Sequence, residues 1–168
     1  IDLCRKRYDA VVMNPPFGEP SKQSKTLLGT NYPFTKHDLF AAFTERALSV
    51  LLGSGFVGQI SSRVGFFIRS FIGWRKNVMG INSVIAIADL GIGVLDDATV
   101  EAASYIVEKR RCEKGYLTRV FRLLVETEKA ATLRNLIPVQ SDSRIFSFSV
   151  AECECLPLEP WIYWVSRG

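Results

Sequence analysis

Asn14, Pro15, Pro16 and Phe17 stand in a row at the end of the apolar run Tyr8-Asp9-Ala10-Val11-Val12-Met13. Their types suit one kind of chemistry: transfer of a methyl group to an amino group on a planar base. An exocyclic NH2 conjugated to an aromatic ring is a poor nucleophile, because its lone pair is delocalised into the ring. Two fixed acceptors, the side-chain oxygen of Asn14 and the backbone carbonyl of Pro15, can each take one N–H and draw the nitrogen toward a pyramidal shape that frees the lone pair. Pro15 and Pro16 keep the loop extended and remove two backbone donors that would compete for those acceptors. Phe17 offers a flat apolar face on which an extruded base can stack. The bland reading is a proline turn with Phe17 as a core plug. Against it, such a tetrapeptide arises by chance in roughly one chain of this length in several hundred.

The elements that would position these residues follow from periodicity. Residues 8–13 read as a strand buried on both faces, as in a parallel sheet, with the motif at its carboxyl end, where open α/β sheets place ligands. Residues 18–37 read as a long polar loop, and a loop of that length in a compact domain is usually functional or mobile. Its lysines, Lys22, Lys25 and Lys36, suit either phosphates or a solvated surface. The spacing of Leu39, Phe40, Phe43, Ala47, Leu48 and Leu51 predicts a helix from Asp38 to Leu52, with Thr35 or Asp38 as N-cap and Gly53-Ser54-Gly55 as its end. A short buried strand is expected over Phe56–Ser61, a helix over Gly65–Met79, a strand over Ile81–Leu90, a turn at Gly91-Ile92-Gly93 and a strand over Thr99–Glu108. That order describes the second half of a doubly wound sheet closed by a hairpin. Beyond Lys109 come an expected strand (Tyr116–Leu124), a short helix (Glu126–Leu136) and a strand (Arg144–Val150). The proline-punctuated aromatic tail, Leu156–Trp164, suggests packing for an absent partner domain.

Composition sets limits. The 168 residues are 48% hydrophobic and 23% charged, which argues for a globular protein with one real core and against disorder. A net charge of +4 is compatible with nucleic acid without being diagnostic. No apolar run reaches the roughly 18 residues of a membrane span, and no signal peptide is evident, so a cytoplasmic location is expected. The sequence opens on Ile1 and reads as a fragment of a longer chain. Cys4 and Cys112 are isolated, Cys153 and Cys155 lack partner ligands, and His37 is the single histidine, so no metal is expected and the thiols read as free. Gly53-Ser54-Gly55-Phe56-Val57-Gly58 spells G-x-G-x-x-G but follows a helix and opens a strand. It therefore aims no helix N-terminus at a phosphate, and it is not read as a dinucleotide site.

Taken together, these residues resemble the adenine-specific DNA methyltransferases. Asn14-Pro15-Pro16-Phe17 is similar to their motif IV. Asp38-Leu39-Phe40-Ala41-Ala42-Phe43, with Glu45, Ala47 and Leu48, is similar to their motif V helix, and Gly55–Ile60 to the strand after it. Phe71 and Trp74-Arg75 sit like the "SFE-x-LR" segment of the large variants. Asp89-Leu90-Gly91 and Ala98–Val107 resemble the final strand pair. Pro160-Trp161-Ile162-Tyr163-Trp164-Val165-Ser166 resembles the "SPIAYWVS" element of the PglX-like branch from BREX phage-defence systems. The likeness runs in order from about residue 8 to the end.

The resemblance implies an α/β fold: the C-terminal half of a Rossmann-like, S-adenosylmethionine-dependent methyltransferase sheet over residues 1–112. Residues 113–168 would be the start of a following α+β segment, connecting toward a target-recognition region. It implies methylation of the adenine amino group in double-stranded DNA with the adenine flipped out, within restriction-modification or BREX-type defence, alongside other defence-system proteins and no membrane. Asn14, Pro15, Pro16 and Phe17 would be catalytic; Asn14, Asp38 and Phe43 would lie on the cofactor side. From the residues alone, Phe43 reads equally as a core position and Asp38 as a simple cap. Two departures are noted. The family's upstream glycine-containing loop and acidic cofactor residue are not in these 168 residues. The aromatic that usually faces the flipped base from the final hairpin is replaced by Val94-Leu95. The alternatives are a non-catalytic DNA-binding or assembly piece, or a methyltransferase acting on RNA or a protein glutamine.

Overall fold

The computed structural model describes residues 6–95 and 100–165. Cys4, Ala98, Thr99 and Ser166, which figure in the expectations above, lie outside them. The described residues form one six-stranded mixed sheet in the order β1-β2-β4-β3-β5-β6. The strands are β1 (Tyr8–Met13), β2 (Leu51–Ser62), β3 (Asn82–Gly91), β4 (Ala102–Arg111), β5 (Thr118–Arg122) and β6 (Ile145–Phe148). Helix α1 (Lys22–Asn31) and helix α2 (Leu39–Val50) join β1 to β2. β1 runs parallel to β2, β4 pairs antiparallel with both β2 and β3, β3 is parallel to β5, and β6 is antiparallel to β5. The carboxyl ends of β1, β2, β3 and β5 therefore share one edge, and the β3–β4 connection opens on that edge too. The α/β class and the closing hairpin stand as expected. Residues beyond 112 add two strands to the same sheet.

Four expected elements differ in the structure. First, among the described residues β1 stands at the end of the sheet and is only partly covered rather than buried on both faces. Its outer positions are open, and Val12 is 86% exposed. Apolar runs look alike whether both faces are covered or one. Second, the supposed loop 18–37 contains α1. Ser21 caps it by accepting the Ser24 N–H, but only Leu28 is buried along its length, so the helix carries no apolar stripe to read.

Third, Gly53-Ser54-Gly55 does not sit between helix and strand. α2 stops at Val50 and β2 begins at Leu51, with Tyr8 facing Leu51 and Ala10 facing Phe56, so the residues between bulge out of the ladder. A Cβ on Gly55 would lie 2.8 Å from the Asp9 carbonyl oxygen, which is why glycine stands there. Fourth, residues 63–79 are not one helix. They are 3-10 turns at Arg63–Phe66 and Arg69–Phe71, a single α-turn α3 (Ile72–Trp74) and a π-turn at Arg75–Met79.

The break has a physical reason in Arg75. Its guanidinium is buried and donates to four backbone carbonyls: Gly65 at 2.7 Å, Ile68 at 2.9 Å, Leu158 at 2.8 Å and Glu159 at 2.9 Å. A regular helix would commit the first two carbonyls to its own ladder. Leu158 and Glu159 both take left-handed backbone conformations, with φ of 68° and 50°, and Arg75 holds that turn closed.

The tail consequently packs into this chain's own core, contrary to expectation. Helix α4 (Lys129–Leu136) precedes β6, and a last turn, α5 (Val150–Cys153), leads into the tail. Trp161 is 2% exposed, stacks on Phe66 at 5.5 Å and donates its backbone N–H to the Phe66 carbonyl. It joins Phe40, Phe71, Trp74 and Tyr105 in one aromatic cluster. Truncating so large a buried ring removes both its transfer free energy and its packing. Trp161→Ala is expected to lower stability by about 3–5 kcal/mol in equilibrium urea unfolding. A change under about 1 kcal/mol would show that the tail is not part of the core.

Candidate active site

The loop after β1 leaves the sheet at its carboxyl edge. Asn14 and Pro16 are exposed, Pro15 is buried and Phe17 is half-buried. Phe17 sets its ring edge-on to Phe40, with centroids 6.4 Å apart. Phe40 in turn stacks on Phe71 at 5.0 Å and meets Trp74 at 5.6 Å. Phe17 is thus part plug and part wall: one edge touches the core and the rest borders a cleft.

The end of the loop is held by Asp38. Gly18 turns at φ +98°, a conformation natural to glycine, and donates its N–H to both Asp38 carboxylate oxygens at 3.1 and 3.2 Å. The same carboxylate accepts the Phe40 N–H at 3.1 Å, which caps α2, and the Leu39 N–H returns to the Gly18 carbonyl at 3.0 Å. Asp38, not Thr35, is the N-cap; Thr35 is buried and donates its hydroxyl to Glu45 at 2.6 Å. Burial pushes the Asp38 carboxyl above its ordinary range, and the hydrogen bonds from Phe40 and Gly18 offset part of that rise.

α2 is fixed to the sheet by a buried polar network. The Thr44 hydroxyl lies 2.8 Å from the Phe40 carbonyl and 2.9 Å from Gln59 Oε1. Gln59 Nε2 also donates to the Phe40 carbonyl, and Ser61 donates to the Tyr105 hydroxyl at 3.2 Å. Burial drives the Tyr105 phenol well above its usual range, so it stays protonated.

Three clefts divide the candidate residues. Asn14, Pro15, Pro16 and Phe17 form one side of a cleft of about 450 Å³, and Val94 and Leu95 from the β3–β4 connection form the other. That volume lies within the range of small-molecule sites. Phe43 is 45% exposed, so the core reading of it fails. It borders an apolar groove of about 390 Å³ along β1 with Val11, Val12 and Met13, the last residue before Asn14. Asp38 belongs to a third cleft with Lys25, Lys36 and His37, where Lys25 pairs with Glu19 at 3.1 Å. The four motif residues come together; Phe43 and Asp38 flank them rather than share their cleft.

Sequence reasoning missed the ion pair at the foot of the β3–β4 connection. Asp89, fully buried, meets Arg63 at 2.8 Å from Nη2, with Nε at 2.7 Å from Oδ1 in an orientation poor for a hydrogen bond. The Tyr163 hydroxyl donates to the same carboxylate. Burial raises the Tyr163 phenol, and Asp89 raises it further. The residues stand 26 and 74 positions apart, beyond any local signal.

Residues 3–93, more than half of the chain, match the sequence profile of the Eco57I restriction-modification methylases. The chain is 28% identical over 170 residues to the adenine-specific methyltransferase PglX of Lacticaseibacillus casei (strain Zhang), covering 96% of this chain and 14% of that protein. It is 26% identical over 173 residues to the adenine-specific methyltransferase BrxX of Escherichia coli O9:H4 (strain HS), covering 98% of this chain and 14% of that protein. The chain thus spans about one-seventh of the length of these curated relatives. Among solved structures, a chain of a type I restriction-modification system superposes with a TM-score of 0.72 at 16% identity, over 89% of this chain and 36% of that one.

Asp38 offers a direct test of how the loop is held. Asp38→Ala should cost about 0.5–2 kcal/mol in urea unfolding, the range for a lost N-cap. Asp38→Asn, which keeps an acceptor, should cost less. A carboxyl raised in the folded state binds its proton more tightly there than in the unfolded chain. Its contribution is therefore most favourable below the ordinary value of 3.8 and declines as pH rises through the folded value. Asp38→Asn should flatten that decline in the pH–stability profile.

Proposed function

The chain belongs to the Eco57I restriction-modification methylase family, and from that premise we propose that it carries the methyl-accepting half of an adenine-specific DNA methyltransferase active site. The observation that carries the reading is the cleft between Asn14–Phe17 and Val94-Leu95 at the carboxyl edge of the sheet. A flipped adenine enters it, at a cost of a few kcal/mol of lost stacking and pairing. Asn14 Oδ1 and the Pro15 carbonyl each accept one hydrogen from the amino group and localise its lone pair. Phe17 supports one face of the base; Val94 and Leu95 cover the other with aliphatic groups in place of a ring. The amine sheds its proton only after it has gained a fourth bond, so no general base with a shifted pKa is needed in advance. Among the described residues, no carboxylate lines this cleft.

S-adenosylmethionine is the cofactor of this reading, and the residues present fit it in part. The exposed Phe43 ring, beside the groove along β1, is suited to lie against a purine, and Asn14 follows the carboxyl end of the same strand. Asp38 serves the cofactor side by fixing the loop that carries Asn14. When bound, the cofactor supplies an electrophilic methyl group on a positively charged sulfur. The relatives named above are adenine-specific methyltransferases, which supports DNA as substrate and a setting in restriction-modification or BREX-type defence with other subunits. The sulfonium cofactor and DNA substrate accord with a cytoplasmic setting. Among the described residues, no helix is long and apolar enough to cross a membrane. On this reading residues 1–112 carry the catalytic piece, and residues 113–168, although their strands join the same sheet, lead toward a region that selects the target.

The test is methyl transfer by the full-length protein from labelled cofactor to duplex DNA, RNA and protein. Label is expected in DNA, on the six-amino group of adenine after digestion. Asn14→Ala should lower kcat by about 10²–10³-fold, the scale for losing one preorganised polar contact. Label confined to RNA or protein, or an Asn14→Ala variant with unchanged turnover, would overturn the reading. Phe43→Ala should raise the KM for cofactor about tenfold while leaving the KM for DNA alone.

A further inference from the structure

We infer that Arg63, Asp89 and Tyr163 act as positioning residues that staple the two feet of the β3–β4 connection and so hold Val94 and Leu95 opposite Asn14–Phe17. The inference rests on the reading of that cleft as the base pocket and assigns the groups that set its second wall. Asp89 lies near the end of β3, on the near foot of the connection. Glu101 lies just before β4, on the far foot. Arg63, the first residue after β2, reaches both. Its guanidinium engages Asp89 at 2.7 and 2.8 Å and Glu101 at 2.9 Å, and its backbone N–H donates to the Glu101 carbonyl at 3.0 Å.

One planar, forked cation thus spans the gap between two acidic residues that flank the wall. A lysine point charge could not hold both with the same geometry. Tyr163 closes the arrangement from the tail by donating to Asp89. Phe67 lies under the guanidinium at 5.0 Å and meets Trp164 at 5.4 Å, so the tail covers the staple on a second side. The arrangement is more than generic core. Asp89 has no exposed surface, and its charge is tolerated only because Arg63 and Tyr163 meet it there. Gly91 and Gly93, at φ +66° and +75°, then turn the chain sharply outward to Val94.

The test uses the full-length protein, labelled S-adenosylmethionine and unmodified host genomic DNA, with Tyr163→Phe, Leu95→Ala and the double variant. Flipping is read with a duplex carrying 2-aminopurine at the target adenine of the site that methylation mapping identifies. Each single variant should raise the KM for DNA about tenfold and reduce the 2-aminopurine signal several-fold, with cofactor affinity unchanged. The double variant should be no worse than the more impaired single one, because both act on one wall. Multiplicative losses in the double variant would overturn the staple. So would a Tyr163→Phe protein with unchanged KM and flipping, or one in which cofactor affinity and melting temperature fall together with DNA use. If the wild-type protein methylates no adenine in DNA, the underlying reading of the pocket fails; if it does and Tyr163→Phe is indifferent, only the staple fails.

Discussion

A loop with two consecutive prolines cannot hold itself. Pro15 and Pro16 supply no backbone donors, so the segment from Asn14 to Phe17 gains little from its own hydrogen bonds and must be fixed from its ends. At one end Met13 is paired into the sheet, opposite Gln59. At the other, Gly18 is gripped by Asp38 and returns a carbonyl to Leu39. The grip matters because Asp38 belongs to α2, and α2 is tied through Thr44, Gln59 and the Phe40 carbonyl to the buried centre of the sheet. The orientation of the Asn14 side chain and the Pro15 carbonyl is thereby set by packing away from the cleft they border. The same donor-poor bend makes such outside support a requirement.

The tail and the broken helix at residues 63–79 solve a second packing problem together. Arg75 is buried and, among the described residues, meets no carboxylate at hydrogen-bond distance; four carbonyls, two from each segment, satisfy it. Burial lowers its pKa, with Glu159 opposing that drift. Close approaches fix glycine at two positions of the segment. A Cβ on Gly73 would meet the Phe34 carbonyl at 2.7 Å, and one on Gly65 would press on the Phe40 ring at 3.0 Å. Phe66 can then stack on Trp161 while Arg63 projects toward Asp89. An ordinary helix would have satisfied its own carbonyls and lost both contacts.

What could be read without the structure was whatever is local. The Asn-Pro-Pro-Phe loop after a strand depends on residue types in a row, the β3–β4 hairpin on alternation, and the capping of α2 on an aspartate before an apolar period. What could not be read depends on topology. α1 buries one leucine in ten residues and leaves only the weak signal of Ser21 with Ser24. The aromatic tail has the composition of an interface, and nothing near it in sequence says that Phe66 and Arg75 receive it. The spacing of Phe66, Phe67, Phe71 and Trp74 suits a helix, and only the glycines among them hinted at crowding. The pairing of Arg63 with Asp89 and Glu101 requires knowing that the ends of β2 and β3 and the start of β4 share an edge. Phe43 was open between core and ligand surface because helical period does not say which flank of an apolar stripe the sheet covers.

The two walls of the cleft are built from different physics, and the difference bears on selectivity. Phe17 leans on Phe40, so its position is set by dispersion with a packed cluster that changes little short of unfolding. Val94 and Leu95 sit past glycine turns whose feet are held by charge-assisted hydrogen bonds, which depend on geometry more steeply than apolar contact does. An aliphatic wall contacts any base through dispersion and lacks the edge and face polarity of a ring. On the proposed reading, discrimination then falls on the polar side, where the Asn14 and Pro15 oxygens accept two N–H groups and would be left unpaired by a base without an amine. Leaving such an acceptor unsatisfied costs about 1–3 kcal/mol, on the scale of a whole base-stacking contact. The opposite wall can be a plain surface for that reason, provided it stands at the right distance.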